Sequence, residues 1–296
     1  MSQFRKIGLI GRPGHAGVVD SLRRLLAFLK ARDVEIILDD ATGKLVPDHG
    51  QQVSSREALS RHCDLVIVVG GDGSMLNAAQ SIASENVPVI GVNRGRLGFL
   101  TDVLPEEIEL RLSQVLAGEY SVESRFLLQL EVLHNGERQH LGCALNDVVL
   151  HPGKAAQMIE FELFVDDRFV YSQESDGLIV ATPTGSTAYA MSAGGPIMHP
   201  DLDAIALVPI CPHSLSSRPI VVAGDCEIRL VIGENDSILP QVSCDGEVKF
   251  SAHAGDQLIV RKKSKVLRLI HPPDHSVYQA YRSKLGWGSR LERKDD

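Results

Sequence analysis

Leu65-Val66-Ile67-Val68-Val69 runs straight into Gly70-Gly71-Asp72-Gly73-Ser74, and this junction decides the fold. Five consecutive aliphatic residues, three of them valine, read as a strand covered on both faces, as in a parallel sheet. Beyond the glycines, Met75, Leu76, Ala79, Ile82 and Ala83 recur at helical spacing. Residues 70–74 are therefore expected in a strand-to-helix turn, where backbone N–H groups can face a phosphate and no Cβ blocks its approach. Gly70, Gly71, Gly73 and Ser74 become candidate phosphate-binding residues. A carboxylate beside phosphate is unfavourable unless a divalent cation or a transferable proton takes part. Asp72 is thus the first catalytic candidate, against the plainer reading of a tight turn with Asp72 as a solvated helix cap.

Working outward, the first ~120 residues alternate strands and helices. Ile7-Gly8-Leu9-Ile10 reads as a strand, and Val18, Leu22, Leu25, Leu26 and Leu29 trace one helix face. Val34–Leu38 and Val87–Val92 are further strands, and Pro105-Glu106-Glu107 opens a helix through Ile108, Leu112 and Leu116. This rhythm predicts an α/β domain over 1–120 with a doubly wound, mostly parallel sheet. Its ligands should lie at the carboxyl ends of the strands, where the 70–74 turn and Asn93-Arg94-Gly95 fall.

Past Tyr120 the pattern changes. Phe126–Leu133 has strand composition and precedes the turn pair Asn135-Gly136. Ile159–Val165 alternates apolar and polar residues before Asp166-Asp167. Short strand-like runs follow at Leu178–Thr182, Ile205–Val208, Ile220–Val222, Ile228–Ile232, Leu258–Val260 and Val266–Ile270. A β-rich second domain is expected over 121–274. The polar stretch 275–296, with a short helix near Val277–Leu285, is free to pack back on the first domain.

Composition narrows the function. With 296 residues, 44% hydrophobic and 23% charged, the chain has the make-up of a soluble globular protein with volume for real cores. No run approaches the ~20 apolar residues that span a bilayer. The Met1–Lys6 start lacks a signal-peptide hydrophobic region, so a cytoplasmic location is expected and no membrane partner. A net charge of −8 argues against nucleic acid as partner. The five cysteines (Cys63, Cys143, Cys211, Cys226, Cys244) show no zinc or redox spacing and read as buried free thiols. His151, His199 and His271 each precede proline, which suggests turns rather than ligands.

Two further segments carry chemistry. In Asp176–Tyr189, continuing to Ser192-Ala193-Gly194-Gly195-Pro196, a strand ends at Thr182, Pro183 bends the chain and Gly185 permits a tight turn. Four hydroxyl side chains within residues 184–189 exceed what one helix cap requires and suit the hydroxyls and phosphates of a nucleotide. Asn146-Asp147 interrupts the apolar run Cys143-Ala144-Leu145 … Val148-Val149-Leu150. Buried without partners, such a pair would cost a few kcal/mol, so either a bulge exposes it or it faces a polar ligand. Asp245-Gly246 is foremost a turn signal.

Together these elements resemble the NAD kinase family, most closely its proteobacterial members, over essentially the whole chain. Gly70–Gly73 resembles the family's phosphate-site motif, Asn146-Asp147 its Asn-acidic pair, and Thr182–Tyr189 with Ser192–Pro196 its long nucleotide-binding signature. Asn93–Leu100 fits another characteristic stretch. The GGDG element is shared with 6-phosphofructokinases and with diacylglycerol and sphingosine kinases, whereas the TPTGSTAY segment is the specific part.

The resemblance implies transfer of the terminal phosphoryl group of ATP to the 2′-hydroxyl of the adenosine ribose of NAD, giving NADP, with Asp72 as proton acceptor. It implies an NAD site of Asp72, Gly73, Asn146, Asp147, Gln157, Glu174, Asp176, Thr187, Ala188, Tyr189, Ala190, Met191, Ser192 and Glu247. It also implies an α/β domain plus a β-rich domain with the active site between them, a divalent cation (Mg2+), and a homodimer or homotetramer. No Walker pattern occurs, so the donor site is of another type. Gln157 and Glu174 stand where relatives often carry a base, and Glu247 where they often carry Gln; either NAD binding is weaker, with a higher KM, or these side chains point to solvent and the changes are silent.

A lipid or sugar kinase sharing GGDG is the rival enzyme reading, but no apolar cleft or basic patch stands out. A silent dinucleotide-binding regulator is the rival of another class. Asp72 weighs against it, because a pure binder gains little from a carboxylate beside phosphates.

Overall fold

The structure is a computed structural model that describes residues 4–14, 17–93, 98–153, 157–234 and 238–287. The chain divides into two compact units, 1–124 with 267–296 and 125–266.

The first unit begins with β1 (Lys6–Gly11), α1 (Val18–Lys30), β2 (Glu35–Asp39), α2 (Asp40–Leu45), β3 (Gln52–Ser54) and α3 (Arg56–His62). It continues through β4 (Leu65–Val69), α4 (Asp72–Glu85), β5 (Pro88–Val92), a 3-10 turn at Pro105–Glu107 and α5 (Ile108–Leu116). Hydrogen bonding orders the strands β5-β4-β1-β2-β3, all parallel. As expected from its composition, every residue of β4 is buried. The apolar stripe of α1 (Val18, Leu22, Leu25, Leu26, Leu29) packs with Ile7, Leu9, Ile67 and Val69. Strand order reverses between β1 and β4, and such a reversal opens a crevice at the carboxyl ends of the strands. Gly70–Ser74 lies at that end, directly after β4.

The second unit holds most of β6 (Ser121–His134), then β7 (Glu137–Ala144), β8 (Asp147–His151), β9 (Ile159–Val165), β10 (Arg168–Ser175) and β11 (Gly177–Ala181). A 3-10 turn (Gly185–Thr187) and α6 (Tyr189–Ser192) lead to β12 (Ala204–Ile210), β13 (Ile220–Ala223), β14 (Ile228–Ile232), β15 (Gln241–Cys244), β16 (Glu247–Ser251) and β17 (Gln257–His271). Asn135 and Gly136, at φ 50° and 82°, close the β6–β7 hairpin that Asn-Gly signals. A six-stranded antiparallel sheet, β13-β12-β11-β8-β15-β16, faces a layer in which β9 pairs with β10 and β14, and β14 with β17. Leu150, Phe161, Leu163, Leu178, Val180, Leu207, Leu230 and Val260 fill the space between them. On the other face of the six-stranded sheet, Ala190 of α6 and Met198 pack on Val149, Ile179, Ala206 and Val208.

The end of β17 returns to the first unit, pairing in parallel with β5 through Arg268↔Pro88 and Leu269↔Val89. α7 (Val277–Leu285) follows and buries Ala280 and Tyr281.

Three strand expectations need correction. Leu258–Val260 and Val266–Ile270 are one strand, β17, whose middle Arg261–Lys265 is polar because it leaves the core, not because the strand ends. Cys143–Leu150 is two strands, β7 and β8, parted at Leu145-Asn146. The polar strand β10 went unrecognised because it is a sheet edge with exposed faces, which hydrophobic alternation does not mark.

Candidate active site

In the first unit, Gly70 leaves β4 at φ 157° with its N–H on Val92 O at 2.9 Å. A Cβ on Gly70 would collide with the Ser74 side chain, so the turn requires glycine there. Gly71 caps α4 and Asp72 opens it. The Asp72 carboxylate is not a solvated cap. Its Oδ2 accepts the Phe99 N–H at 2.9 Å, and Oδ1 accepts the Leu100 N–H at 3.0 Å and the Thr101 hydroxyl at 3.2 Å. Three donors occupy three of about four carboxylate acceptor directions, leaving one for a ligand among the described residues. Gly73, exposed on the same turn, lies close to the Arg12 guanidinium.

The loop that supplies these donors is itself anchored. Asn93 N–H bonds Val103 O at 2.8 Å and Val103 N–H bonds Gly91 O at 3.2 Å, which lays residues 98–103 over the end of β5. A Cβ on Gly91 would stand 2.9 Å from Leu100 O, and one on Gly98 would strike Asp72 Oδ1 and Thr101 Oγ1. The Phe99 ring meets that of Tyr281 in α7, with centroids 6.1 Å apart. Next along the chain, Asp102 Oδ2 bonds Nδ1 of His271 at 2.8 Å and Nδ1 of His275 at 2.9 Å. The expected Arg94-Gly95, with Arg96 and Leu97, lies outside the described residues.

In the second unit, the Asn146-Asp147 break has a physical reason. Asp245, at φ 49°, closes the β15–β16 hairpin with Gly246. Its carboxylate collects the N–H groups of Leu145 (2.8 Å), Asn146 (2.7 Å) and Asp147 (3.3 Å). The turn signal was right, but the side chain's second task was not legible in it. Burial raises the Asp245 pKa, and those three backbone donors work against the rise. Asp147 is 5% exposed, and burial together with the charge of Asp245 pushes it up to about 7. Asn146 is half-buried beside it.

The Thr182–Thr187 turn packs on the same break. Thr182 N–H bonds Asn146 O at 2.9 Å, and Thr182 Oγ1 donates to Leu145 O at 2.5 Å while accepting the Gly185 N–H at 3.1 Å. Gly185 sits so tightly on Asn146 O that any Cβ would clash. Ser186 donates to Pro183 O at 2.6 Å and accepts the Met198 N–H at 2.9 Å. Thr184 accepts from the buried Arg125 at 3.3 Å, and Thr187 donates to Thr184 O at 3.3 Å. Of the four hydroxyls in residues 184–189, those of Ser186 and Thr187 bond backbone carbonyls, Thr184 accepts from Arg125, and Tyr189 stands exposed. Thr187, Ala188 and Met191 are half-buried, Tyr189 and Ser192 exposed, and Ala190 buried in the core.

The remaining predicted residues are scattered over this unit. Asp176, half-buried between β10 and β11, gives its N–H to Ile210 O at 3.0 Å. Gln157 is half-buried before β9. Glu174 is exposed on β10 opposite Glu160, at the rim of a cavity of about 470 Å³ bordered by Tyr171, Gln173, His213 and Arg218. Glu247 pairs with Lys249 at 2.9 Å. No side-chain hydrogen bond among the described residues ties Gln157, Glu174 or Glu247 to the Asn146-Asp147-Asp245 group.

Two groups of described residues have their ligand atoms close enough for a metal, Asp102-His271-His275 and His134-His253-Asp256, and neither contains Asp72. In the first, the imidazoles stack with centroids 3.7 Å apart and planes 21° from parallel. Their in-plane lone pairs run side by side instead of converging, so the group is a hydrogen-bonded network. Around Asp72 the described residues build no carboxylate cage. The cysteines are all free, and only Cys211 is exposed.

Comparison with known proteins adds the following. Residues 7–120 match the ATP-NAD kinase N-terminal domain and residues 145–272 the ATP-NAD kinase C-terminal domain. A Pseudomonas putida (strain GB-1) protein named NAD kinase is 58% identical over 296 residues, 100% of both chains. Its counterpart in Pseudomonas fluorescens (strain SBW25) is 60% identical over 291 residues, 98% of both. Among solved structures, yeast NADH kinase complexed with NADH aligns with a TM-score of 0.88 at 25% identity, covering 98% of this chain and 89% of that one. An NAD kinase from Archaeoglobus fulgidus in complex with ATP aligns at 0.71 and 28% identity, covering 95% and 97%.

Proposed function

The chain belongs to the ATP-NAD kinase family and phosphorylates NAD with ATP to give NADP, and from that premise we propose which of its residues do the work. Asp72 is the proton acceptor. The remaining acceptor direction of its carboxylate receives the 2′-hydroxyl of the adenosine ribose, whose oxygen attacks the terminal phosphorus as the proton passes to Asp72 and ADP leaves. The observation that carries this is the triple anchoring of Asp72 by Phe99, Leu100 and Thr101, which fixes one carboxylate without consuming it. Phosphoryl transfer needs positioning more than covalent chemistry, and a base held by two backbone amides is positioned before substrate arrives.

Gly70, Gly71, Gly73 and Ser74 present the α4 N-terminus to phosphates, with Arg12 near to balance their charge. A divalent cation such as Mg2+, carried by the triphosphate, would neutralise charge on the transferring group. Asn146 and Asp147 hold the adenosine end of NAD. A carboxyl group that titrates near neutrality can donate to or accept from a ribose hydroxyl. Asp176 and the Thr187–Ser192 stretch, with Tyr189 exposed, contact the rest of the dinucleotide. Gln157, Glu174 and Glu247, the last paired with Lys249, line its path. A homodimer or homotetramer and a cytoplasmic location complete the reading.

Steady-state assays with purified protein and Mg-ATP, offering NAD, diacylglycerol and fructose 6-phosphate in parallel, test it. Turnover of NAD alone is expected. Turnover of either other acceptor at a comparable rate would refute the acceptor assignment.

A further inference from the structure

His271 is 2% exposed and carries no role in the chemistry described above. Both of its ring nitrogens face carboxylates. Nδ1 lies 2.8 Å from Asp102 Oδ2, and Nε2 lies 3.0 Å from Glu123 Oε2. Only the imidazolium can donate to both; a neutral ring turns a lone pair toward one carboxylate. The charged groups facing it are Asp102 from the loop after β5, Glu123 from β6, and His275, which stacks on it and shares Asp102 Oδ2. Burial opposes the charged ring, but the bonds to Asp102 and Glu123 prevail and raise His271 to about 8. Burial would likewise raise Asp102, and the two histidines outweigh it, bringing that carboxyl down to about 2.

Asp102 directly follows the three residues that hold Asp72. Thr101 is fully buried and Leu100 nearly so, and the segment is bound to β5 on one side through Val103. We propose that His271 is a positioning residue for phosphoryl transfer: by clamping Asp102 to Glu123 it holds residues 99–101 in the register that presents their two amides and one hydroxyl to Asp72. A missing ring removes the bridge between Asp102 and Glu123, and a neutral one donates to only one of them. The loop then shifts, and the Asp72 carboxylate loses the donors that aim it. The inference rests on the assignment of Asp72 as proton acceptor.

The test compares His271→Gln and His275→Gln with the parent enzyme, using kcat and KM for NAD from pH 6.5 to 9.5 and hydrogen exchange at the Phe99 and Leu100 amides. In the parent, kcat should fall on an alkaline limb centred near pH 8, with KM for NAD within threefold throughout. His271→Gln should lower kcat at pH 7 about tenfold, abolish that limb and speed exchange at both amides about tenfold, since a small misplacement of a reacting group is costly. His275→Gln, which leaves the Asp102–Glu123 bridge intact, should do less on every count. A folded His271→Gln enzyme with kcat within twofold of the parent, or with unchanged exchange at Phe99 and Leu100, would overturn the proposal. Should that variant not fold, the parent enzyme decides alone: exchange at Phe99 and Leu100 that does not accelerate through pH 8, beyond the intrinsic base-catalysed rise, overturns it too. Asp72→Asn separates the two assignments. If that variant keeps turnover, the base assignment fails, while the exchange measurement still reports whether His271 controls the loop.

Discussion

Leu100 gives its backbone N–H to Asp72 Oδ1 at 3.0 Å across 28 residues of chain, so a loop far off in sequence holds the carboxylate that opens α4. The turn that looks self-contained in the sequence is therefore built from two segments, and its chemistry depends on both.

Replacing Asp72 by Asn should reduce kcat by about 10³, within the usual range for loss of a general base. NAD affinity measured by calorimetry should stay within about threefold, since the side chain keeps its shape. The Asn NH2 would face one of the N–H donors of Phe99 or Leu100, so a stability loss of about 1–3 kcal/mol should accompany it in urea unfolding. Retained turnover sinks the assignment.

Gly98→Ala is a purely steric probe of the same contact. The added methyl strikes Asp72 Oδ1 and Thr101 Oγ1 and must displace one of them. A loss of about 10² in kcat is expected with the thermal midpoint lowered by a few degrees. Kinetics like those of the parent would show that Asp72 needs no fixed cradle.

Asp147 should reveal a conflict between stability and binding. Its pKa, raised from 3.8 to about 7 by burial and by Asp245, means that its stabilising contribution is complete below 3.8 and is lost as pH rises through about 7. Asp147→Asn should therefore be more stable than the parent at pH 8, by about 1–3 kcal/mol, with the advantage smaller at pH 5 and gone only below about 3.8. Its KM for NAD should rise about tenfold. Equal stability at both pH values would contradict the shift.

The opposite protein charge sits on His271. Its pKa rises from 6.5 to about 8, so its contribution is fully present below 6.5 and is lost as pH climbs through about 8. Urea unfolding should show about 2 kcal/mol less stability at pH 9 than at pH 6.5 in the parent, a difference absent from His271→Gln.

Glu174 faces Glu160 across the β10–β9 pair, two like charges in register on exposed positions. Combining Glu174→Lys with Gln157→Arg should relieve that repulsion and add cations beside the dinucleotide. Exposed pairs contribute roughly 0.2–1 kcal/mol each, so KM for NAD should fall about threefold at low salt while kcat holds. An unchanged or higher KM places both side chains outside the binding path.

Much of this was legible in the residues themselves. β4, α1, α4, β9 and the Asn135-Gly136 hairpin follow from apolar periodicity and turn chemistry, because each buries one continuous face or needs one backbone geometry. What escaped were relationships across long separations. Nothing local to Asp102 points to His271, 169 residues away, and a histidine before proline reads as a turn. Asp245 showed its hairpin role but not its grip on Leu145–Asp147, since one side chain served two purposes. The hydroxyls of Thr182 and Ser186 serve the turn itself, because residues that suit ligands also suit a backbone folded tightly on itself.

Strand β17 finishes in the first unit after the whole of the second has been translated. A ribosome that has released residues up to Val266 has made every strand of the sandwich, yet Asp102 and Glu123 still lack the ring that reconciles them. The nascent catalytic half stays electrostatically unfinished until its closing residues emerge, so a chain cut short there lacks the imidazolium that both carboxylates share.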